Sequence, residues 1–369
     1  MSQQSGCGPL GCLFRGILWL VGSAVAVVLL AGLVLAGIWY SGPRPAPASL
    51  VQFCTGRSVG FIQFDLDPAR PAARELLRVI DDSIARPRVE HMIDRSPGFL
   101  KPLARAWGAL VRRYIVPHAL PFSVGASFYR ASPPRKVRLA AAVNSRVPLR
   151  VLDLLGVTTS PVRLPSRSAP LVAADGQSYP AFRAGRVLMA RYDNWLLLSD
   201  SAATLVEALS GAAGDSAVPD EFRRLARDPG RGAASAVFVN QGEELYELLN
   251  AAELELLRVS SPADREIVAR LFARVLPLTG SVLTATAGVE FPDLDSGRVA
   301  LKVLLQSAAA AAQFASALQS LKPFLDTVLA RANQTFEYKV TVNGSLLELT
   351  GTFSGLRVPL TRLLTQRAR

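Results

Sequence analysis

The sequence predicts an α+β fold, with an N-terminal transmembrane helix followed by two similar halves of antiparallel hairpins with helices packed on one face of the sheet. Three observations predict it. Gly16 to Tyr40 is an uncharged run of 25 residues. In Phe336-Glu337-Tyr338-Lys339-Val340-Thr341-Val342 apolar and polar side chains alternate without a break, as in a strand with one dry and one wet face. After residue 57 the order strand, helices, hairpin, helix, hairpin, helix is readable twice.

The chain opens with a tail, 1–15, whose single charge is Arg15. The apolar run, 16–40, follows. At 1.5 Å per residue the steps from Trp19 to Trp39 cover about 30 Å, the hydrocarbon thickness, which sets Trp19, Trp39 and Tyr40 at the membrane interfaces. A signal peptide cut after Ala46-Pro47-Ala48 is the alternative, but its apolar region would be only about 7–15 residues long. Arg15 on one side against Arg44 and Arg57 on the other gives no decisive charge bias. A short tail before a span and a large C-terminal part is nevertheless the layout of a signal anchor. A single-pass protein of the cell membrane is expected, with its N-terminus cytoplasmic and its C-terminal domain extracytoplasmic. Gly22 with Ala26 and Gly32 with Ala36 have the spacing of an anchor-mediated dimer, although small residues are common in spans anyway. Residues 41–57 are a Pro-rich spacer and lead-in, extended by the alternate prolines of Gly42-Pro43-Arg44-Pro45-Ala46-Pro47.

The first half, 58–210, begins with a strand at Ser58 to Phe64. Helices are expected at Pro71 to Ala85 and Leu100 to Ile115, then a hairpin of Phe122 to Arg130 with Lys136 to Val143 and a helix near Pro148 to Leu155. A second hairpin joins Arg186 to Tyr192 with Trp195 to Asp200 through Asp193-Asn194, and Ser201 caps a helix from Ala202 to Leu209. Arg86 to Pro102 and Gly156 to Pro180 are rich in Pro, Gly and Ser and read as loops. Residues 211–234 form a linker.

The second half, 235–369, repeats the order. Ser235 to Val239 is a strand, Glu243 to Leu257 and Pro262 to Val275 are helices, and Ser281 to Phe291 pairs with Arg298 to Gln306. A helix from Ala308 carries Phe314, Leu318, Leu321, Leu325 and Val328 as one stripe, with Pro323 expected to kink or split it. Phe336 to Val342 and Ser345 to Phe353 form the last hairpin, turning at Asn343-Gly344, before a helix from Leu356. Ser123 to Phe128 parallels Ser281 to Thr286, and Asp193-Asn194 answers Asn343-Gly344. A duplication accounts for both, although strand-strand-helix units also arise by chance. The polar side of the sheet is then expected to be shared between the halves as one concave binding face. Thr284, Thr286, Lys302, Glu337, Lys339, Thr341, Glu348 and Thr350 would populate it.

All 29 acidic residues and all but one of the 41 basic ones follow Ser41, so that part carries a net charge of +11. Attraction to anionic lipid headgroups or envelope polymers follows at about 1 kcal/mol per surface cation near a membrane. Arg135, Lys136 and Arg138 form the best basic cluster, and Arg112 with Arg113 the next. Only five of the cations are lysines, as compositional bias alone would give. No aromatic-interleaved basic strand or recognition helix appears, so nucleic acid is not an expected partner.

Cys7 and Cys12 precede the span, where acylation is conceivable but plain thiols are simpler, and Cys54 has no partner for a disulfide within the domain. His91 and His118 are not in metal-ligand spacing. No Gly-x-Ser-x-Gly elbow marks a serine nucleophile. Asp65-Leu66-Asp67 and Asp293-Leu294-Asp295 resemble paired carboxylates, but beside Pro and Gly after strands they read as turn chemistry. No catalytic, cofactor or metal residues are assigned.

With the span, the spacer and the segment Arg186 to Leu209 (RVLMARYDNWLLLSDSAATLVEAL), the chain resembles uncharacterised single-span bacterial envelope proteins whose outer part is built from repeated strand-strand-helix units. The resemblance implies an extracytoplasmic domain and supplies no site residues. The expected function is a membrane-anchored binding or scaffolding protein of the cell envelope, without catalysis, whose partners are membrane lipid and an envelope protein or anionic polymer. The alternative is an envelope hydrolase or lipid-handling enzyme with a dispersed active site.

Overall fold

The structure, a computed structural model, describes residues 48–118, 120–131, 137–147, 166–167, 170–173, 176–213, 233–240, 243–259, 262–331 and 333–357. The tail, the span with Trp19, Trp39 and Tyr40, and most of the spacer lie outside the described residues. So do Arg135, Lys136, the helix expected near Pro148 to Leu155 and all but the start of the one from Leu356. Among the described residues, no helix is long and apolar enough to cross a membrane.

The first half contributes β1 (Ser58–Asp65), α1 (Pro71–Ile80), α2 (Arg86–Arg95), α3 (Lys101–Leu110), β2 (Ser123–Arg130) and β3 (Val137–Asn144). Short strands β4 (Ser166–Arg167), β5 (Leu171–Val172), β6 (Ser178–Tyr179) and β7 (Ala181–Ala184) precede β8 (Val187–Tyr192), β9 (Trp195–Ser199) and α4 (Ala202–Ala212). The second half contributes β10 (Ala234–Val239), α5 (Glu244–Val259), α6 (Pro262–Val275), β11 (Val282–Glu290), β12 (Ser296–Leu305), α7 (Ala308–Arg331), β13 (Thr335–Asn343) and β14 (Leu346–Ser354). Twelve strands make one antiparallel sheet in the order β13-β14-β12-β11-β10-β1-β2-β3-β9-β8-β7-β4. The halves meet where β1 pairs with β10, over five rungs from Gly60↔Phe238 to Phe64↔Ala234.

Directly opposed residues of antiparallel strands share a face, so the register can be followed across the sheet. One line runs Leu197, Ala142, Gly125, Gln63, Ser235, Gly288, Ala300, Thr350, Lys339. It starts in a core and ends in water. On its first-half side Leu197, Trp195, Phe61 and Tyr129 are buried against Leu205 and Leu209 of α4 and against Leu50 and Phe53, which lie in a 3-10 turn before β1. A line three residues along β1, on the opposite face, runs Phe128, Gly60, Phe238, Ala285, Val303, Leu347. In the second half this face is the dry one, where Val303, Leu305 and Leu347 pack against Leu245 of α5 and Phe314 and Ala315 of α7. The two cores therefore lie on opposite faces of one sheet. This corrects the expectation of helices on a single face and of a polar side continuous between the halves. The physical reason is that α4 follows β9 across one side while α7 precedes β13 across the other.

Other differences are local. Arg86 to Pro102 is not all loop: α2 fills Arg86–Arg95, continuing from α1 through a π-helical turn at Asp81–Ala85, with Pro87 just after that turn. Gly156 to Pro180 contains β4, β5 and β6. Pro323 lies inside α7, which continues unbroken to Arg331, and the Thr327 hydroxyl donates to the Pro323 carbonyl at 2.8 Å. The β13–β14 turn is Gly344-Ser345, because Asn343 pairs with Leu346. Gly344, at φ 59°, takes the first turn position that Asp193 takes at φ 50° between β8 and β9, and glycine adopts that conformation without a Cβ penalty. Ser201 caps α4 as expected, its hydroxyl accepting from the Thr204 N–H at 3.4 Å.

Candidate functional site

Beyond β10 the wet face of the sheet is an ordered grid. Three register lines cross β11, β12, β14 and β13: Thr286–Lys302–Glu348–Thr341, Gly288–Ala300–Thr350–Lys339 and Glu290–Arg298–Thr352–Glu337. Gly288 and Ala300 leave a low floor, and the surface above them and Thr350 is a depression of about 720 Å³ bordered by Glu290, Arg298, Glu337 and Lys339. Nine of the twelve positions are exposed, so the grid can be reached. Its three carboxylates and three cations cancel. Lys302 Nζ lies 3.9 Å from Glu348 Oε1, with both side chains about half exposed, a pair that holds little free energy in water. Threonine hydroxyls and side chains of both signs offer donors and acceptors to a polar partner rather than a field for an anionic one.

Of the eight residues expected on this face, the structure brings six together at the surface. Thr284 and Thr286 share the face but are each only 9 % exposed. They adjoin β10, whose Val237 belongs to the first-half core. Glu290, Arg298 and Thr352 were missed by sequence reasoning. Extending the register of the β11–β12 hairpin one row toward its turn would have found them.

Among the described residues, the basic positions singled out in the sequence fall at separate places: Arg112 and Arg113 in the helical region, Arg138 on β3. Arg112 donates from Nε and Nη2 to the Asp81 carboxylate at 2.9 and 2.5 Å, a bidentate pair. That contact holds Asp81 below the usual carboxylate range against the opposing effect of burial. Arg112 thus ties the π-helical turn after α1 to the one after α3, with 33 % of its side chain still exposed. Its neighbour Arg113 is exposed. Arg138, on β3, donates from Nη1 to Ser201 Oγ at 3.1 Å beside the α4 cap. Nearby, Arg130 Nη2 meets Glu244 Oε1 at 2.6 Å, a contact between the halves.

The Asp motifs serve turns. Asp293 Oδ1 accepts the N–H groups of Asp295 and Ser296 at 2.8 and 2.6 Å, and these bonds, Ser296 foremost, hold its carboxyl below the usual range. Asp67 Oδ1 accepts the Ala69 N–H at 2.9 Å. Among the described residues no group of three or more His, Cys, Asp or Glu is placed to hold a metal ion. Cys54 is fully buried, and burial pushes its thiol up to about 12, so the thiolate that a nucleophile requires does not form near neutrality.

A second cavity, of about 480 Å³, lies between α1 and the end of β1. Phe64, Leu66, Leu76, Phe291, Leu294 and Leu356 line it, with the Asp65–Arg70 ion pair (3.1 Å) as its only charges among the described residues. Burial raises the Asp65 carboxyl, with Arg70 opposing the shift. Sequence reasoning missed this cavity, since its walls come from segments far apart in the chain. Set against family models, curated proteins and solved structures, the chain has no match in any of the three comparisons.

Proposed function

We propose that the chain is a membrane-anchored, extracytoplasmic binding or scaffolding protein of the cell envelope that acts without catalysis. Its contact surface is the polar grid of β11, β12, β14 and β13. The observation that carries this reading is the grid itself: twelve positions in register, mostly exposed, with balanced charge over a shallow floor. Such a surface suits a folded protein partner or a polar polymer better than an anionic bilayer. The matching strand order on either side of the β1–β10 pair, β1-β2-β3-β9-β8 and β10-β11-β12-β14-β13, supports an origin of the two halves by duplication. The uncharged run 16–40 supports the anchor.

The test is photocrosslinking in intact cells from the full-length chain, with the reactive side chain at Thr350 or, on the opposite face, at the exposed Leu139 that pairs with Phe128. A discrete adduct from Thr350 and none from Leu139 supports the reading. Equal or absent labelling from both sites refutes it. The apolar cavity favours a second reading, lipid handling. Native mass spectrometry of the detergent-purified chain should then find a lipid that Ala73→Trp, which fills the cavity, displaces.

A further inference from the structure

Among the described residues, the outer edge of β13 is the end of the sheet. The strand is nine residues long, contains no proline, and pairs with β14 rung by rung from Thr335↔Ser354 to Asn343↔Leu346 without a bulge. Folded proteins usually blunt such an edge by shortness, proline or a bulge, because its unpaired N–H and C=O groups are a template for another strand. The far side of the sheet ends in β7 and β4, of four and two residues; among the described residues, the protection β13 carries is the charge of Glu337 and Lys339.

We infer that β13 pairs antiparallel with β13 of a second copy of this chain, about a twofold axis through Tyr338. The sequence of the edge is self-complementary about that residue. The axis sets Glu337 opposite the second copy's Lys339 and Lys339 opposite its Glu337, giving two cross-strand ion pairs on the polar face. On the other face Phe336 meets the second copy's Val340. A centre at 337 or 339 would instead set Glu against Glu or Lys against Lys, and a centre between residues would oppose wet and dry faces. Tyr338 is held for this role, its hydroxyl donating to the Leu318 carbonyl of α7 at 2.5 Å and Lys322 Nζ lying 5.5 Å from its ring centroid. The interface shares Glu337 and Lys339 with the border of the grid, but the inference does not rest on the grid's contact with a partner.

The test is the mass of the full-length chain in detergent micelles, measured by light scattering across a dilution series. Lys339→Glu and Glu337→Lys should each weaken dimerisation by about ten- to a hundred-fold, because each replaces two ion pairs with two like-charge contacts. The double variant Glu337→Lys/Lys339→Glu should restore it. Thr335→Cys and Thr341→Cys proteins, mixed and oxidised, should form a heterodimeric disulfide, since opposed strand residues lie about 4.5–5.5 Å apart at Cα. A monomer at all concentrations overturns the inference. So does a dimer indifferent to the single charge changes, which would be held by the membrane span, and so does failure of a folded double variant to recover.

Discussion

Leu197 and Thr350 lie on the same register line and the same face of one sheet, yet truncating them should have very different consequences. Leu197 is fully buried in the first-half core. Leu197→Ala removes its transfer free energy and leaves a cavity walled by well-packed neighbours, a loss of about 3–4 kcal/mol for sites of this kind. Thr350 is exposed on the grid, so Thr350→Ala should change stability by less than about 0.5 kcal/mol. On the opposite face, Leu347 is fully buried beside Val303 and Phe314, and Leu347→Ala should again cost about 3–4 kcal/mol. Its neighbour Glu348 keeps 44 % of its side chain exposed and pairs with Lys302 at 3.9 Å, so Glu348→Ala should cost under about 1 kcal/mol. Urea unfolding of the full-length chain in detergent, followed by far-ultraviolet circular dichroism, measures all four, and fluorescence of a chain with Trp19, Trp39 and Trp107 changed to Phe reports the first core through Trp195. Two costly and two nearly neutral substitutions are the expected pattern. If Thr350→Ala cost as much as Leu197→Ala, or Glu348→Ala as much as Leu347→Ala, the placement of the cores on opposite faces would be wrong.

A Cβ at Gly60 would sit 2.3 Å from the Val237 carbonyl oxygen, and that oxygen, being backbone, has little room to retreat. Gly60→Ala should therefore cost at least about 1–3 kcal/mol and speed amide exchange along β10 before it does so elsewhere. Arg130→Ala takes a cation from Glu244, with 11 % of its side chain exposed against 35 % for the arginine, and should cost about 1–3 kcal/mol; Glu244→Gln in the same chain should recover part of that in a thermal melt. Asp81, held below the ordinary carboxylate range chiefly by Arg112, stabilises the fold above the unfolded carboxylate value, and that contribution disappears as pH falls through the lower folded value. In an acid titration Arg112→Ala should flatten this part of the stability profile, and an unchanged profile would count against the pair. Cys54, pushed to about 12 by burial, should resist alkylation at pH 8 until denaturant is added, as peptide mass spectrometry can follow.

The strands were legible because their side chains alternate, and the hairpins because Asp193 and Gly344 mark their turns. Which side of each strand faces a core was not. Leu197-Leu198 in β9 and Leu346-Leu347 in β14 are apolar on both sides, so only the chain's path through α4 and α7 decides which leucine is covered. The grid was legible in part, since Lys302, Glu337, Lys339 and Thr341 alternate with apolar neighbours. Thr284 and Thr286 alternate in the same way and are nonetheless buried, because their exposure depends on the first-half core beyond β10, more than 150 residues away in sequence at Phe61. Arg112 and Arg113 looked equivalent as adjacent cations. Only the approach of Asp81 from α1's end separates them.

Consecutive residues of β10 answer to different cores: Val237 is part of the first and Phe238 packs against the second. Elsewhere the two cores draw on separate elements, so a change of volume in one need not be matched in the other, and the two sides of the molecule are free to drift at different rates. At β10 that freedom ends. A larger side chain at 237 must be accommodated by α4's neighbourhood and one at 238 by α5's, while the backbone between them cannot shift to relieve either without disturbing the other. In related chains, the slowest-changing apolar pair is therefore expected at these two positions rather than in the middle of either core.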